Sequence, residues 1–123
     1  MIAADTSVWV DFFKGNKTEA SRLLEKSLGD GNIVMPHHVI FEILSGTGTT
    51  AQISELIQRL PKLEILEGFW ERAAELRKTL LKKGLKARSM DCLIAQSCMD
   101  QQVPLIAADQ DYRHFAKRGL KIL

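Results

Sequence analysis

Five short apolar runs, Ile2–Ala4, Ile33–Met35, Leu63–Leu66, Leu105–Ala107 and Lys121–Leu123, are separated by stretches whose apolar residues recur at helical spacing. Runs this short that alternate with helices predict crossover connections, and hence a mostly parallel sheet covered by helices on both faces. The helical patterns lie near Ser7–Lys14, Lys17–Leu28, His38–Ser45, Ala51–Leu60, Phe69–Lys83, Met90–Gln101 and Tyr112–Lys117. Gly29, Gly31, Pro36, Gly46, Gly48, Pro61, Gly84, Pro104 and Gly119 punctuate them. Without an internal repeat or a linker, the 123 residues are expected to form one α/β domain over 1–123.

Two of the apolar runs share the tetrapeptide IAAD, at Ile2–Asp5 and Ile106–Asp109. Open parallel sheets place their sites beyond the carboxyl ends of the strands, where the strand order reverses. Both aspartates are expected at such ends. Asp5 precedes "TSVWV", where Thr6 or Ser7 is able to cap the next helix, so capping does not require the aspartate. Asp109 and Asp111, two apart in "AADQDYRHF", are more acid than a turn needs.

Two further acids lie on helices. Glu42 falls on the narrow polar strip of "HHVIFEILSG", in line with His38 and Ser45 and opposite Val39, Ile40, Phe41, Ile43 and Leu44. Taken alone, a solvated stripe is the better account of Glu42, although so narrow a polar strip also suits a cleft. Asp91 in "SMDCLIAQSC" has Ile94, Ala95 and Cys98 as its helical neighbours. A carboxylate on that flank gains about 0.3–1 kcal/mol from the helix dipole when exposed, less than burial without a partner costs. Function is the better account of Asp91.

Convergence of Asp5, Glu42, Asp91 and Asp109 would be costly. Two unit charges about 5 Å apart at an effective dielectric of about 20 repel by about 3 kcal/mol, and the six pairs could sum to about 10 kcal/mol. That rivals the stability of a whole domain, about 5–15 kcal/mol. A cation or raised pKa values must offset it, and all-oxygen ligands favour Mg²⁺ or Mn²⁺ over zinc. Such a site suits hydrolysis of a phosphodiester by an activated water.

Charge is unevenly divided. Residues 1–76 hold seven Lys/Arg against eleven Asp/Glu, and residues 77–123 hold ten against four. Arg77, Lys78, Lys82, Lys83, Lys86 and Arg88 form a stretch without an acid just upstream of Asp91. It reads either as a solvated helix end or as a phosphate-attracting patch; beside an acid cluster the second reading gains force.

Other constellations are weaker. His37, His38 and His114 show no zinc spacing with the two cysteines and read as satisfied or solvated. Cys92 and Cys98 project about 120° apart on an ideal helix, which suits small buried hydrophobes in a reducing compartment rather than a disulfide. No P-loop, G-x-S-x-G or G-x-G-x-x-G occurs. Val8, Trp9, Phe12 and Phe13 read as core or a self-association face. No apolar run approaches the 18 residues of a membrane span, and "MIAADTS" lacks a basic, signal-like start. A cytoplasmic protein is expected.

Together these segments resemble PIN-domain ribonucleases, in particular the VapC-type toxins of toxin–antitoxin pairs. "DTSVWVDFFKG", "MPHHVIFEILSG", "SMDCLIAQSC" and "LIAADQDYRHF" are similar, in order, to four segments of that family and cover essentially the whole chain. The resemblance implies a three-layer α/β/α sandwich with a parallel sheet of about five strands ordered 3-2-1-4-5. It implies Asp5, Glu42, Asp91 and Asp109 as catalytic, metal-binding acids for Mg²⁺ or Mn²⁺, with Asp111, Thr6 and Ser7 accessory. It also implies endonucleolytic cleavage of RNA, with Arg77, Lys82, Lys83, Lys86 and Arg88 on the RNA backbone, homodimerisation, and silencing by a cognate antitoxin. The chain departs from the pattern at Ala107, where relatives often have Thr, and at Tyr112, where Phe is usual. The lost hydroxyl near Asp109 is one that Thr6 or Ser7 is expected to replace. The alternatives are an idle scaffold that binds RNA or a partner protein, or a phosphohydrolase of small phosphoesters, whose usual Asp-x-Asp after the first strand is absent.

Overall fold

The computed structural model describes residues 1–123. Its centre is a pair of parallel two-residue strands, β1 (Ala3–Ala4) and β2 (Leu105–Ile106), in the register Ala3 with Leu105 and Ala4 with Ile106. Three isolated parallel bridges extend the pair: Ile2 with Ile33, Met35 with Lys62, and Leu105 with Ile122. Read across the sheet, the segments run 62, 33–35, β1, β2, 122, which is the expected order 3-2-1-4-5. Parallel neighbours require crossovers, and the chain supplies them as helices: α1 (Thr6–Lys14), α2 (Glu19–Gly29), α3 (His37–Leu44), α4 (Ala51–Arg59), α5 (Phe69–Lys82) and α6 (Ser89–Asp100). A 3-10 turn over Gln110–Tyr112 and α7 (Arg113–Ala116) follow β2.

The sheet is smaller than the apolar runs suggested. Beyond Lys62 and Leu63, whose N–H donates to the Met35 carbonyl, the expected strand over Leu63–Leu66 does not form. Glu64, Ile65 and Leu66 are exposed, and the Glu64 carbonyl accepts from Gln101 Nε2 instead of from a strand. A third sheet position so close to the edge has little core to face.

Helix ends follow local chemistry. Thr18 and Ser21 form a reciprocal capping box that starts α2. Gly15 adopts φ 76° and closes α1, a left-handed turn that a Cβ would strain. The core beneath is one cluster of 24 buried hydrophobic residues. Val8 and Trp9 belong to it, with Phe12 and Phe13 packed against its edge, which assigns the α1 stripe to the core. Cys92 and Cys98 are buried and unpaired, with burial pushing their thiols up to about 11 and about 12.

Helix α3 sits differently from its wheel projection. Val39 and Ile43 are buried as expected, but Phe41 is 62% exposed and Leu44 is also exposed. His38, expected on the polar strip, is buried, stacked on Phe69 at 5.5 Å and edge-on to Trp70. Its Nδ1 has no hydrogen-bond partner, and burial followed by the charge of His37 lowers its pKa. His38 is therefore neither solvated nor fully satisfied. The start of α5 supplies aromatic surface that the imidazole covers, and α3 rotates accordingly.

Candidate active site

The reversal of strand order at β1 and β2 places Asp5 and Asp109 beyond the carboxyl ends of the two central strands. Asp5 directly follows β1, and its N–H donates to the Ile106 carbonyl at 2.9 Å, so it lies beside the end of β2. It occupies the N-cap position of α1 in an extended conformation, yet its side chain caps nothing. The carboxylate is buried, with Oδ2 accepting from Ser7 Oγ at 2.9 Å and Oδ1 from the Tyr112 hydroxyl at 2.8 Å. The same hydroxyl lies 3.3 Å from Asp91 Oδ1. Asp5 and Asp91, far apart in sequence, thus share one phenol.

Asp91 stands in the first turn of α6. Its pKa is raised, first by burial and then by the charge of Asp5, with a smaller contribution from Asp109. The Tyr112 hydrogen bond and the Arg88 guanidinium act in the opposite direction. Asp91 therefore feels the charges of both other aspartates. Burial and then the two carboxylate charges drive the Tyr112 phenol far above its ordinary range, so it remains a donor.

Asp109 does what its turn position suggests: Oδ1 accepts from the Asp111 N–H at 2.9 Å and caps the 3-10 turn that carries Tyr112. The hydroxyl expected to reach Asp109 from Thr6 or Ser7 goes elsewhere. Ser7 serves Asp5, and Thr6 Oγ1 donates to Glu42 Oε1 at 2.6 Å, tying α1 to α3. Both hydroxyls sit at the start of α1, within a turn of Asp5, where they reach sideways rather than across to β2. Asp111 faces outward and pairs with Lys86 at 3.5 Å.

Asp5 and Asp91 are hydrogen-bonded through one donor, Glu42 is tied to Thr6, the residue after Asp5, and the charge of Asp109 acts on Asp91. No three Asp, Glu, His or Cys side chains stand close enough together to hold one ion. The donors nevertheless suit a hard cation. Mg²⁺ commonly takes one or two carboxylates and completes its shell with water and phosphate oxygens, and the Asp5–Asp91 pair offers carboxylate oxygens alone.

The basic stretch divides. Lys86 pairs with Asp111, and the charge of Arg88 reaches Asp91 without an ion pair between them. Arg77 Nε donates to the Ala87 carbonyl at 2.9 Å and pins the loop that leads to α6. Arg77, Lys78 and Lys82 also frame an open hollow of about 510 Å³ along α5. Lys83 is exposed at the end of the same helix. Glu42 borders a second groove of about 380 Å³ between α1, α3 and α4, lined by Val10, Phe13, Ile43 and Ile53.

The residue that sequence reasoning does not single out is Tyr112. It stands out there only as a departure from a resemblance, whereas its hydroxyl is the side-chain link between the two most central acids.

The PIN domain family model matches residues 2–118. Ribonuclease VapC11 of Mycobacterium tuberculosis is 28% identical over 124 residues, an alignment that spans 95% of this chain and 92% of the relative. The VapBC-1 structure from nontypeable Haemophilus influenzae superposes with a TM-score of 0.77 at 19% identity, over 100% of this chain and 97% of that one. VapBC2 from Rickettsia felis, bound to a DNA fragment from its promoter, gives a TM-score of 0.75 at 20% identity, over 100% and 98% of the two chains. These likenesses cover whole chains rather than a shared fragment.

Proposed function

The chain belongs to the PIN domain family, and from that premise we propose that it is a divalent-metal-dependent endoribonuclease, the toxin of a VapBC-type pair. The observation that carries the reading is the Asp5–Asp91 pair at the strand-order reversal, with Asp91 raised by burial and by its neighbour's charge. Asp5 and Asp91 would hold Mg²⁺ or Mn²⁺, with Glu42 and Asp109 adding negative charge nearby rather than completing a four-acid cage. When bound, the cation supplies Lewis acidity that acidifies a water for attack on a phosphodiester and offsets charge on the departing oxygen.

The protein's own groups then have separate tasks. Ser7 holds one oxygen of the Asp5 carboxylate, Tyr112 links the other to Asp91, and Thr6 holds Glu42 toward α1. Arg88 and Lys86 attract a phosphate to the acidic rim, where bare carboxylates would repel it. Lys78, Lys82 and Lys83 extend that attraction along α5. The partly apolar groove beside Glu42 suits a segment of a cognate antitoxin protein that would block access to the acids. Exposed Phe41 and Trp70 suit a homodimer contact. No helix is long and apolar enough to cross a membrane, and two unpaired buried thiols fit the reducing cytoplasm proposed as the site of action.

The direct test is incubation of purified protein with structured RNA in Mg²⁺ or Mn²⁺, and separately in excess EDTA, followed by sequencing of the RNA ends. New ends that require the cation support the proposal. Equal cleavage in EDTA overturns the metal dependence, and binding without cleavage in Mn²⁺ favours an idle RNA-binding scaffold.

The basic residues make a graded prediction. Lys82→Ala combined with Lys86→Ala is expected to weaken RNA binding without preference for sequence. The slope of log affinity against log salt should fall by about 0.7 for each phosphate that is no longer neutralised, the value for single strands. Fluorescence anisotropy across a salt series measures it.

A further inference from the structure

The geometry points to Tyr112 as a positioning residue that ties Asp5 to Asp91 and competes with a divalent cation for the same two carboxylate oxygens. The inference rests on the metal-dependent reading above and adds to it a determinant of metal affinity.

Tyr112 is the only tyrosine of the chain and is 1% exposed. Its ring is fixed by Phe115, with centroids 5.4 Å apart, and its backbone by the turn that Asp109 caps. The hydroxyl has no freedom to leave the acids without moving that turn. One oxygen from each carboxylate faces it, Asp5 Oδ1 at 2.8 Å and Asp91 Oδ1 at 3.3 Å. The other Asp5 oxygen is taken by Ser7. A cation shared by Asp5 and Asp91 must therefore take from Asp5 an oxygen that already receives a hydrogen bond, and Asp91 Oδ1 faces the same hydroxyl as Asp5 Oδ1. A phenol hydrogen draws charge from the oxygen it meets, so that oxygen is a weaker ligand. The phenol also links two like charges that would otherwise face each other, so it stabilises the metal-free pair more than the loaded one. Both effects oppose metal binding.

Tyr112→Phe keeps the ring and removes only the hydroxyl. The variant is expected to bind Mn²⁺ about tenfold more tightly than the wild type in calorimetric titration, the scale of one hydrogen bond to an ionised group. It should also melt lower than the wild type in EDTA and show a larger rise in Tm on adding Mn²⁺. A merely structural hydroxyl would lower Tm equally with and without metal and leave the affinity unchanged. If the wild type binds Mn²⁺ and the variant binds it equally or more weakly, the inference is overturned while the metal reading stands. Failure of the wild type to bind any Mn²⁺ overturns both. Should Tyr112→Phe not fold, the wild type still decides: the Raman doublet of its single tyrosine must change on saturation with Mn²⁺, and an unchanged doublet rejects competition.

Discussion

Asp5→Asn and Asp91→Asn are each expected to lower RNA cleavage more than about 100-fold, and to change stability unequally. The activity loss follows from removing half the charge of the central pair; even groups that only orient a metal's ligands are worth about 10–100-fold. The stability difference comes from what surrounds each carboxylate. Asp91 is disfavoured as an anion, first by burial and next by the charge of Asp5, so a neutral amide of the same shape should raise the Tm of the metal-free protein. Asp5 accepts from two hydroxyls at 2.8 Å and 2.9 Å. An amide offers only one acceptor oxygen to them, so Asp5→Asn should gain less than Asp91→Asn or lose stability.

The pH dependence carries the sign. The folded-state pKa of Asp91 lies above its ordinary value of 3.8, so the folded chain binds the proton more readily than the unfolded one. Its contribution to stability is therefore largest at low pH and declines as pH rises through the window that starts near the ordinary value. Asp91→Asn removes that decline. Thermal melts in EDTA across this window should show variant and wild type converging at acid pH and separating toward neutrality. A variant that melts below the wild type at neutral pH would sink the repulsion argument, whatever its activity.

The fold was largely legible because its determinants are local. Short apolar runs, caps such as Thr18 with Ser21, and Gly15 after α1 depend on neighbours in sequence. The strand order came from a resemblance, and the bridges from Ile33, Lys62 and Ile122 match it. The missing strand over Leu63–Leu66 was not legible, because the Glu64 carbonyl is taken by Gln101, 37 positions away. His38 shows the same limitation. Its helical phase placed it with polar residues, but Phe69 and Trp70 on another helix made burial favourable. Within the site, the acids could be nominated one by one from their flanks, whereas their link could not: the Tyr112–Asp5 bond spans 107 positions. Nor does composition reveal that Arg77 is partly committed to the Ala87 carbonyl while Lys86 pairs with Asp111.

Trp9 connects core to site and yields the largest stability effect expected. It is fully buried, with its ring 6.2 Å from Phe12 and 5.6 Å from Phe13. Truncation of a buried Trp costs about 3–5 kcal/mol, against a total of about 5–15 kcal/mol for a domain. Trp9→Ala should therefore remove much of the margin, seen as a large fall in the urea midpoint by circular dichroism. Trp9→Phe should cost far less than its volume loss suggests. The indole Nε1 is buried without a partner, and an unsatisfied donor carries a penalty of about 1–3 kcal/mol that phenylalanine does not incur. The function follows the same anchor. Trp9 lies one turn beyond Asp5, and its backbone N–H donates to the Asp5 carbonyl at 3.3 Å, so the buried ring fixes the rotation of α1 and with it the reach of Thr6 to Glu42. Trp9→Phe should keep cleavage within a few-fold of the wild type, less than the roughly 10–100-fold that losing an orienting group costs. If it instead loses activity while retaining stability, the indole has a role at the acids that burial alone does not explain.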